Sequence, residues 1–305
     1  MIRYYRHSEI DKSRWDNCIK ASPAGIAYAA SWYLDLVSPG WEALIEDDYA
    51  AVFPLTSRRK YGFNYLFQPF FTQQAGLFVQ DEFIHAEKTK LFLESIPSKF
   101  KLIEINLNTS NQIESFGDFN ISKRRTHHLS LKKSIDELRK NYSDNLKRNL
   151  KKAKLSNQKI ESGNELRTLT EIFRQERGAD IAVLGDKEYD LLEKIVEQAY
   201  IRKEIEILFT RNHAGEITAG AVFLHSYSSY IFLFSATSKE ARESGSMSLI
   251  IDHFIESHQS EDKVLDFEGS MNDDLSRYYR SYGSQEIVYL QIIKNTLPIP
   301  FRWFK

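Results

Sequence analysis

The order of the predicted elements recurs once along the chain, and this recurrence constrains the fold more than any other feature of the sequence. In the second half, two helices within 164–203 precede three apolar strands, a helix and a strand. The first half has the same order, and it includes a helix over 81–97 that a proline closes. We therefore predict an α/β chain built from two copies of one unit, residues 1–130 and 131–305.

The composition is that of a globular chain. Of 305 residues, 42% are apolar and 13% are aromatic, which suffices for the cores of two domains. The net charge of −1 argues against general affinity for nucleic acids or membranes. Cys18 is the single cysteine, so the chain has no internal disulfide framework and suits a reducing compartment. Residues 1–15 contain no apolar signal segment, so we expect a cytoplasmic protein without membrane insertion.

A strand over 229–237 runs through a short polar segment into a helix that we expect to begin at Ser246. The segment contains Arg242, Ser244 and Gly245. The first turn of a helix has backbone N–H groups without partners and partial positive charge, so it attracts an anion such as a phosphate. Gly245 would allow close approach of the backbone, and Arg242 would add a charge-assisted contact. The alternative is a surface loop in which Ser244 caps the helix and Arg242 lies in solvent.

The pattern Arg242-x-x-Gly245-x-Met247 resembles the Q/R-x-x-G-x-G/A signature of the GNAT acyltransferase superfamily. In that family the signature follows the fourth strand and holds the diphosphate of an acyl-coenzyme A. Met247 departs from the small residue that the family has last. The resemblance implies that the chain uses an acyl-coenzyme A, such as acetyl-coenzyme A, as a co-substrate. The donor site would then consist of Arg242, Ser244, Gly245, Ser246, Met247, Phe234 and Ser235.

A second stretch, NDDLSRYYRSYGS at 272–284, resembles the N-x-x-A-x-x-L-Y-x-K-x-G-F helix of the same family. Tyr279 falls on the family's tyrosine, whereas Ser281 and Ser284 stand in place of its lysine and phenylalanine. By this resemblance Tyr279 lies where the fourth and fifth strands separate, and it donates a proton to the leaving thiolate. The alternative is that Tyr279 is an ordinary aromatic residue of an amphipathic helix.

Two units in one chain resemble the FemAB-like branch of the superfamily, in which GNAT units occur in tandem and the second carries the donor site. The stretch YSDNLKRNLKKAK at 142–154 is similar to a basic run before the second unit of that branch. The resemblance implies that each unit is a mixed, mostly antiparallel sheet flanked by helices. The first unit would be a degenerate copy on the acceptor side.

Acyl transfer to an amine requires a neutral nucleophile, stabilisation of the developing oxyanion and a proton for the leaving thiolate. Backbone N–H groups at the edge of the strand 229–237 would hold the thioester carbonyl. Glu268 ends a predicted strand and is the candidate base, and Asp266 lies on the same face by the two-residue alternation. The alternative is that Glu268 caps the helix that begins near Asp273.

The candidates for acceptor binding lie on two predicted helices. Glu176 and Arg177 end a helix near the expected cleft, where they would orient an acceptor or form a loop salt bridge. Arg148 belongs to a basic helix over 139–154. This helix would be a solvated face, or it would contact a charged tRNA, since some FemAB-like enzymes take aminoacyl groups from tRNA. No cluster of His, Cys, Asp or Glu has metal-ligand spacing, so we expect no metal.

These observations predict an N-acyltransferase that moves an acyl group from a coenzyme A thioester to a primary amine on a small metabolite or an envelope precursor. An aminoacyl-tRNA-dependent transferase is the alternative among enzymes. A non-catalytic ligand-binding protein is the alternative outside them, because Met247, Ser281 and Ser284 depart from the family's pattern. The expected partner is a small-molecule amine, and the net charge argues against nucleic acid without excluding charged tRNA.

Overall fold

The structure is a computed structural model, and it describes residues 1–80, 86–156, 158–176, 184–268 and 271–302. The chain divides into two compact units, Met1–Arg125 with Ile287–Lys305, and Thr126–Glu286. The C-terminal residues 287–305 therefore group with the first unit, whereas the range 131–305 predicted from the sequence includes them in the second.

The described residues form ten α-helices and fourteen strands. The helices are α1 (Lys12–Ala21), α2 (Ser31–Val37), α3 (Ala86–Glu94), α4 (Ile135–Lys140), α5 (Asp144–Leu155), α6 (Leu166–Glu176), α7 (Asp186–Ile201), α8 (Lys239–Ser244), α9 (Ser246–Ser257) and α10 (Asp273–Arg280). The strands are β1 (Ile2–Tyr5), β2 (Glu42–Glu46), β3 (Ala51–Leu55), β4 (Ser57–Lys60), β5 (Phe63–Leu66), β6 (Phe78–Val79), β7 (Phe100–Asn106), β8 (Asn120–Ser130), β9 (Ile160–Ser162), β10 (Ile205–Arg211), β11 (Ile217–His225), β12 (Ser229–Thr237), β13 (Val264–Asp266) and β14 (Gln285–Asn295). None of these helices has the length and apolarity that crossing a bilayer requires.

The first unit contains two groups of paired strands. One group has the order β1-β2-β3-β6, and all its pairs are antiparallel. The other has the order β4-β5-β7-β14, in which β5 and β7 are parallel and the other pairs are antiparallel. Phe53 of β3 and Phe92 of α3 are both buried, and their rings stack with centroids 6.3 Å apart. This contact holds α3 against the first group.

The second unit has the strand order β8-β13-β12-β11-β10-β9, in which only β12 and β13 are parallel. Helices pack on both faces of this sheet. Gly220 of β11 leaves room for Leu169 of α6, because a Cβ atom at Gly220 would lie 2.5 Å from the Leu169 side chain. Phe223 is on the opposite face by alternation, and it stacks on Phe254 of α9 with centroids 3.7 Å apart. The predicted fold class, a mixed and mostly antiparallel sheet flanked by helices, is confirmed.

A β-bulge interrupts the middle of β12. Phe232 lies opposite Phe223 of β11, and Phe234 lies opposite Val222 of β11. Leu233 is therefore an extra residue on β12. Cross-strand partners share a face, and the bulge therefore sends Phe232 and Phe234 to opposite faces. The ring of Phe234 lies 5.1 Å from that of Phe173 on α6.

A buried ion pair joins α4 to α9. The Arg139 guanidinium donates from Nε to Asp252 Oδ1 (3.0 Å) and from Nη2 to Asp252 Oδ2 (2.7 Å). Asp252 is buried, and Arg139 also contacts Glu256. The basic helix predicted over 139–154 is thus two helices, and its first arginine belongs to the interior contacts of the unit, not to a solvated face.

Candidate active site

The C-terminal half of β12 borders a cavity of about 420 Å³ in the second unit. The parallel pairing of β12 with β13 ends where Ile231 lies opposite Asp266, whereas β12 continues to Thr237. Beyond Ile231, no strand of the described residues pairs with that edge of β12. The structure therefore has the opening between two strands that the family resemblance implies, and Phe232 and Ser235 line it.

The start of α9 forms one wall of this cavity. Gly245 ends α8 and precedes α9 with a left-handed backbone (φ +78°), and no side chain caps the new helix. The first backbone bond of α9 runs from the Leu249 N–H to the Gly245 carbonyl (3.2 Å). Within the described residues, the three preceding N–H groups thus have no backbone acceptor. Met247 and Ser248 of this turn line the cavity, so the wall is suited to an anion.

Gly245 meets two requirements that other residues would fail. Its positive φ is costly for residues with a Cβ atom. A Cβ atom at this position would also lie 2.9 Å from the Asn149 carbonyl oxygen of α5. The two serines of the predicted donor set support this turn from behind. Ser246 is fully buried, its Oγ lies 2.8 Å from Ser244 Oγ, and neither serine lines the cavity.

Arg242 lies in the last turn of α8, which replaces the loop that the sequence predicts. Its Nη2 donates to Glu176 Oε2, and its Nη1 donates to the Thr237 carbonyl (2.8 Å). Glu176 also accepts a bond from the Lys239 N–H (3.1 Å). The hydrogen bond from Arg242 lowers the pKa of Glu176, so this carboxyl is ionised at neutral pH. Both members of the pair line the cavity, and the positive charge that the sequence predicts there is balanced by Glu176.

Tyr279 lines the cavity and is buried. Its ring stacks on Phe267 with centroids 5.0 Å apart and meets Phe232 edge-on at 6.3 Å. The helix predicted for this stretch is α10, and the Asn272 side chain caps it by accepting from two backbone N–H groups. Local capping and apolar contacts thus bring Tyr279 to the opening beside β12.

Tyr278 also lines the cavity, although the sequence analysis placed it only in the family-like helix and gave it no role at the site. Its hydroxyl lies 2.8 Å from the hydroxyl of Tyr282 and 3.3 Å from Ser248 Oγ. Burial raises the pKa of Tyr278, so its phenol is protonated at neutral pH. A chain of hydroxyls therefore connects the start of α9 to α10.

The two carboxylates predicted near the site do not line the cavity. Asp266 is buried, and its Oδ1 accepts from the Thr126 hydroxyl and from the Glu268 N–H (2.9 Å). Its Oδ2 lies 3.2 Å from His128 Nε2. Because these contacts occupy both oxygens, Asp266 has a local structural role.

Glu268 lies two residues after β13 and has a left-handed backbone (φ +59°). Its Oε1 is shielded from solvent and has no hydrogen-bond partner among the described residues, although part of the residue is exposed. Burial raises its pKa to about 8. At neutral pH the side chain is therefore mostly protonated, which is the wrong form for the resting base that the sequence predicts.

Two further predicted residues, Arg148 and Phe234, also lie off the cavity wall. Arg148 is exposed on α5, and Phe234 packs against α6 because of the bulge. Arg177 lies outside the described residues. The cavity also has nine lining residues that the sequence analysis did not name as site residues: Asn149, Phe173, Phe232, Ala236, Thr237, Ala241, Ser248, Leu275 and Tyr278.

Weak signals for some of these residues exist in the sequence. Asn149 belongs to the run at 142–154 that resembles the FemAB-like branch. Phe173 and Leu275 belong to apolar helix faces, and such faces predict core packing and not a cavity wall. These side chains line the cavity only because α5, α6 and α10 pack around β12.

Two GNAT-like units with a strand opening and a helix start at one cavity define a tandem GNAT protein of the FemAB-like type, as a matter of fold. Solved structures agree with this class. FemX shares 14% identity over 92% of this chain and 96% of its own, with a TM-score of 0.66. A conserved protein of unknown function from Bacteroides thetaiotaomicron shares 10% identity over 96% of this chain and 99% of its own, with a TM-score of 0.59.

The C-terminal domain of a putative lysylphosphatidylglycerol synthetase from Agrobacterium fabrum is also similar. It shares 10% identity over 93% of this chain and 92% of its own, with a TM-score of 0.53. No family model matches the chain, and no curated protein sequence matches it. At these identities the likeness establishes the fold alone, and the chemistry has to be argued from the cavity.

Proposed function

We propose that the protein is an acyltransferase that moves an acyl group from a coenzyme A thioester to a primary amine on a small metabolite or an envelope precursor. One observation carries the proposal: the unbonded amides of α9, the unpaired edge of β12 and Tyr279 border the same cavity. Its volume of about 420 Å³ falls in the range of small-molecule sites, roughly 300–1,000 Å³.

The donor would lie along β12 with its pyrophosphate at the start of α9. There the N–H groups of the first turn and the helix dipole both favour negative charge. The unpaired edge of β12 offers backbone N–H groups to the thioester carbonyl, whose oxygen becomes negative in the transition state. Glu176 neutralises the charge of Arg242, so the backbone N–H groups would supply most of the attraction for the pyrophosphate.

In the reaction, the neutral amine nitrogen attacks the thioester carbon and forms the new C–N bond. The C–S bond then breaks, and the thiolate takes a proton as it leaves. We assign this proton to the Tyr279 hydroxyl, which is the assignment that the family resemblance implies. The nitrogen of the adduct releases one proton to solvent, and solvent in turn reprotonates the group that protonated the thiolate. Neither Asp266 nor Glu268 receives a step, because neither lines the cavity.

A second donor, aminoacyl-tRNA, is favoured by one observation on α5. Its exposed residues include Lys147, Arg148, Lys151, Lys152 and Lys154, while Asn149 of the same helix lines the cavity. A cationic face next to a cavity can bind a nucleic-acid backbone through its phosphates. The Agrobacterium fabrum domain of similar fold is named as part of a putative lysylphosphatidylglycerol synthetase, a name that fits aminoacyl transfer.

Ligand-dependent melting temperatures test the donor. We expect acetyl-coenzyme A to raise the melting temperature, and Arg242→Ala to weaken its binding about fivefold, since that change leaves the Glu176 carboxylate alone at the cavity. Arg211→Ala is the matched control, because Arg211 forms a similar exposed pair with Glu161 and does not line the cavity. Equal effects of the two variants would contradict the assignment of the donor site.

Binding of charged tRNA tests the alternative donor. Tight binding of charged tRNA that falls steeply with salt, without any response to coenzyme A thioesters, would select the aminoacyl-tRNA-dependent transferase. If neither ligand changes the melting temperature, the protein is a non-catalytic member of the fold.

Steady-state kinetics test the proton donor. Tyr279→Phe should lower kcat by about 10²-fold while donor affinity stays nearly constant. Tyr278→Phe is the matched variant, because it removes the neighbouring hydroxyl from the same cavity. A large loss in Tyr278→Phe alone would transfer the role to Tyr278, and normal turnover in both variants would remove tyrosine from the mechanism.

A further inference from the structure

A cluster of three metal-binding side chains lies in the second unit, although the sequence spacing led us to expect no metal. Glu206 is on β10, His225 ends β11, and His258 follows the last residue of α9. One carboxylate oxygen and one ring nitrogen from each histidine all lie within 4.8 Å of one another. We propose that these three residues bind a divalent transition-metal ion such as Zn²⁺.

The donor set suits this class of ion. Zn²⁺ is commonly held by imidazole nitrogens and carboxylate oxygens at about 2.0–2.2 Å, which places neighbouring donor atoms roughly 3.3 Å apart in a tetrahedron. His258 Nε2 and Glu206 Oε2 are already 3.0 Å apart. A small movement of His225 towards them completes a three-residue set and leaves one position for water.

The second layer of contacts orients His258 as a metal ligand. Its Nδ1 lies 3.0 Å from Glu261 Oε1, and Glu261 Oε2 accepts a bond from the Tyr230 hydroxyl (2.6 Å). Metal-binding histidines usually donate their other ring N–H to a carboxylate, which fixes the tautomer and the ring plane. With its proton on Nδ1, His258 directs the Nε2 lone pair towards Glu206.

His225 supplies an independent observation. Its Nε2 is shielded from solvent and has no hydrogen-bond partner within the described residues. A shielded polar atom without a partner requires an explanation, and a bound metal ion would be one. The ring is fixed edge-on against Tyr230, with centroids 4.9 Å apart. A metal ion between the three side chains would give this nitrogen its missing partner.

The cluster lies away from the proposed donor site. The cavity is at the first turn of α9, and His258 follows its last turn, so a helix of 12 residues separates them. This length corresponds to about 18 Å. A bound ion would therefore connect β10, β11 and α9 without touching the transferred group. The alternative is an ion-pair cluster in which His258 is positively charged between Glu206 and Glu261.

Metal titrations of the full chain without a polyhistidine tag, stripped with chelator beforehand, separate these possibilities. We expect one Zn²⁺ per chain by equilibrium binding with elemental analysis, a higher melting temperature with Zn²⁺, and visible absorption of tetrahedral Co²⁺. His225→Asn should abolish the Co²⁺ absorption. His253→Asn is the matched control, because His253 is exposed on the same helix, and it should bind as the wild type does.

Glu261→Gln keeps all three ligands and changes only the residue behind His258. It should weaken Zn²⁺ binding about 10- to 100-fold, so it decides the matter if His225→Asn does not fold. Absence of saturable binding at millimolar Zn²⁺ would overturn the proposal and leave an ion-pair cluster. Binding that persists unchanged in His225→Asn, or that is lost equally in His253→Asn, would overturn it as well. None of these results depends on acyl transfer.

Discussion

Glu268 should make the stability of the second unit depend on pH in a direction opposite to that of most carboxylates. Its Oε1 is shielded and has no hydrogen-bond partner in the part of the chain that the structure describes, and burial raises its pKa from 4.5 to about 8. Between these two values the folded chain keeps the proton, whereas the unfolded chain releases it. The unfolded state therefore binds fewer protons, and the free energy of unfolding decreases as the pH rises through this window. Above the folded pKa the effect is constant.

The size of this effect follows from the pKa difference. Each pKa unit corresponds to about 1.4 kcal/mol, so the shift of Glu268 from 4.5 to about 8 sets an upper limit of about 5 kcal/mol. Partial exposure of the residue and local relaxation reduce this figure, and we expect about 2–3 kcal/mol. Glu268→Gln removes the titration and keeps the shape of the side chain.

Denaturant unfolding from about pH 5 to about pH 9 at constant ionic strength provides the assay. Near pH 5 the wild type and Glu268→Gln should differ little, because both side chains are neutral. Towards pH 9 the variant should become progressively more stable than the wild type. The control is Glu243→Gln, which changes an exposed carboxylate of the same unit and should show no such trend. A wild-type-to-variant difference that stays constant with pH would refute the argument that Glu268 is desolvated.

Two further substitutions test the turn and the ion pair beside the cavity. Gly245→Ala should lower the free energy of unfolding by about 2 kcal/mol or more, because it combines a positive φ with a contact to the Asn149 carbonyl. Gly215→Ala has a similar φ and open space around it, so chemical denaturation should show a smaller loss of about 1 kcal/mol, and equal losses would contradict the packing argument. Glu176→Gln should tighten binding of acetyl-coenzyme A about two- to fivefold in calorimetry, because it releases the positive charge of Arg242, and weaker binding would mean that the pair acts as a unit.

Local sequence determined much of the second unit. Continuous apolar runs predicted β11 and β12, and the stretch at 272–284 predicted α10. Gly245 predicted a sharp turn, because a left-handed backbone favours the residue without a Cβ atom. These features depend on neighbours within a few positions, so a single sequence contains their causes. The resemblance to the GNAT superfamily and its FemAB-like branch, confirmed at the level of fold, rested on the same local patterns.

Contacts between distant residues decided the chemistry of the site. Arg242 is neutralised by Glu176, which is 66 positions away in the chain, and no local pattern indicates that pair. One extra residue in β12 turns Phe234 away from the cavity, since a bulge reverses the alternation of side chains along the strand, and the family resemblance could not indicate it. Burial of Glu268 changes its protonation state, and burial is a property of the packed chain.

The same division applies to the cluster of Glu206, His225 and His258. Their separations in the sequence match no metal motif, because each residue belongs to a different element. The sequence by itself determined which elements form and how each is capped, through hydrophobic periodicity and backbone preference. Only the tertiary structure decided which side chains line one cavity, which form ion pairs and which come close enough to bind one metal ion, because those contacts depend on how strands and helices pack.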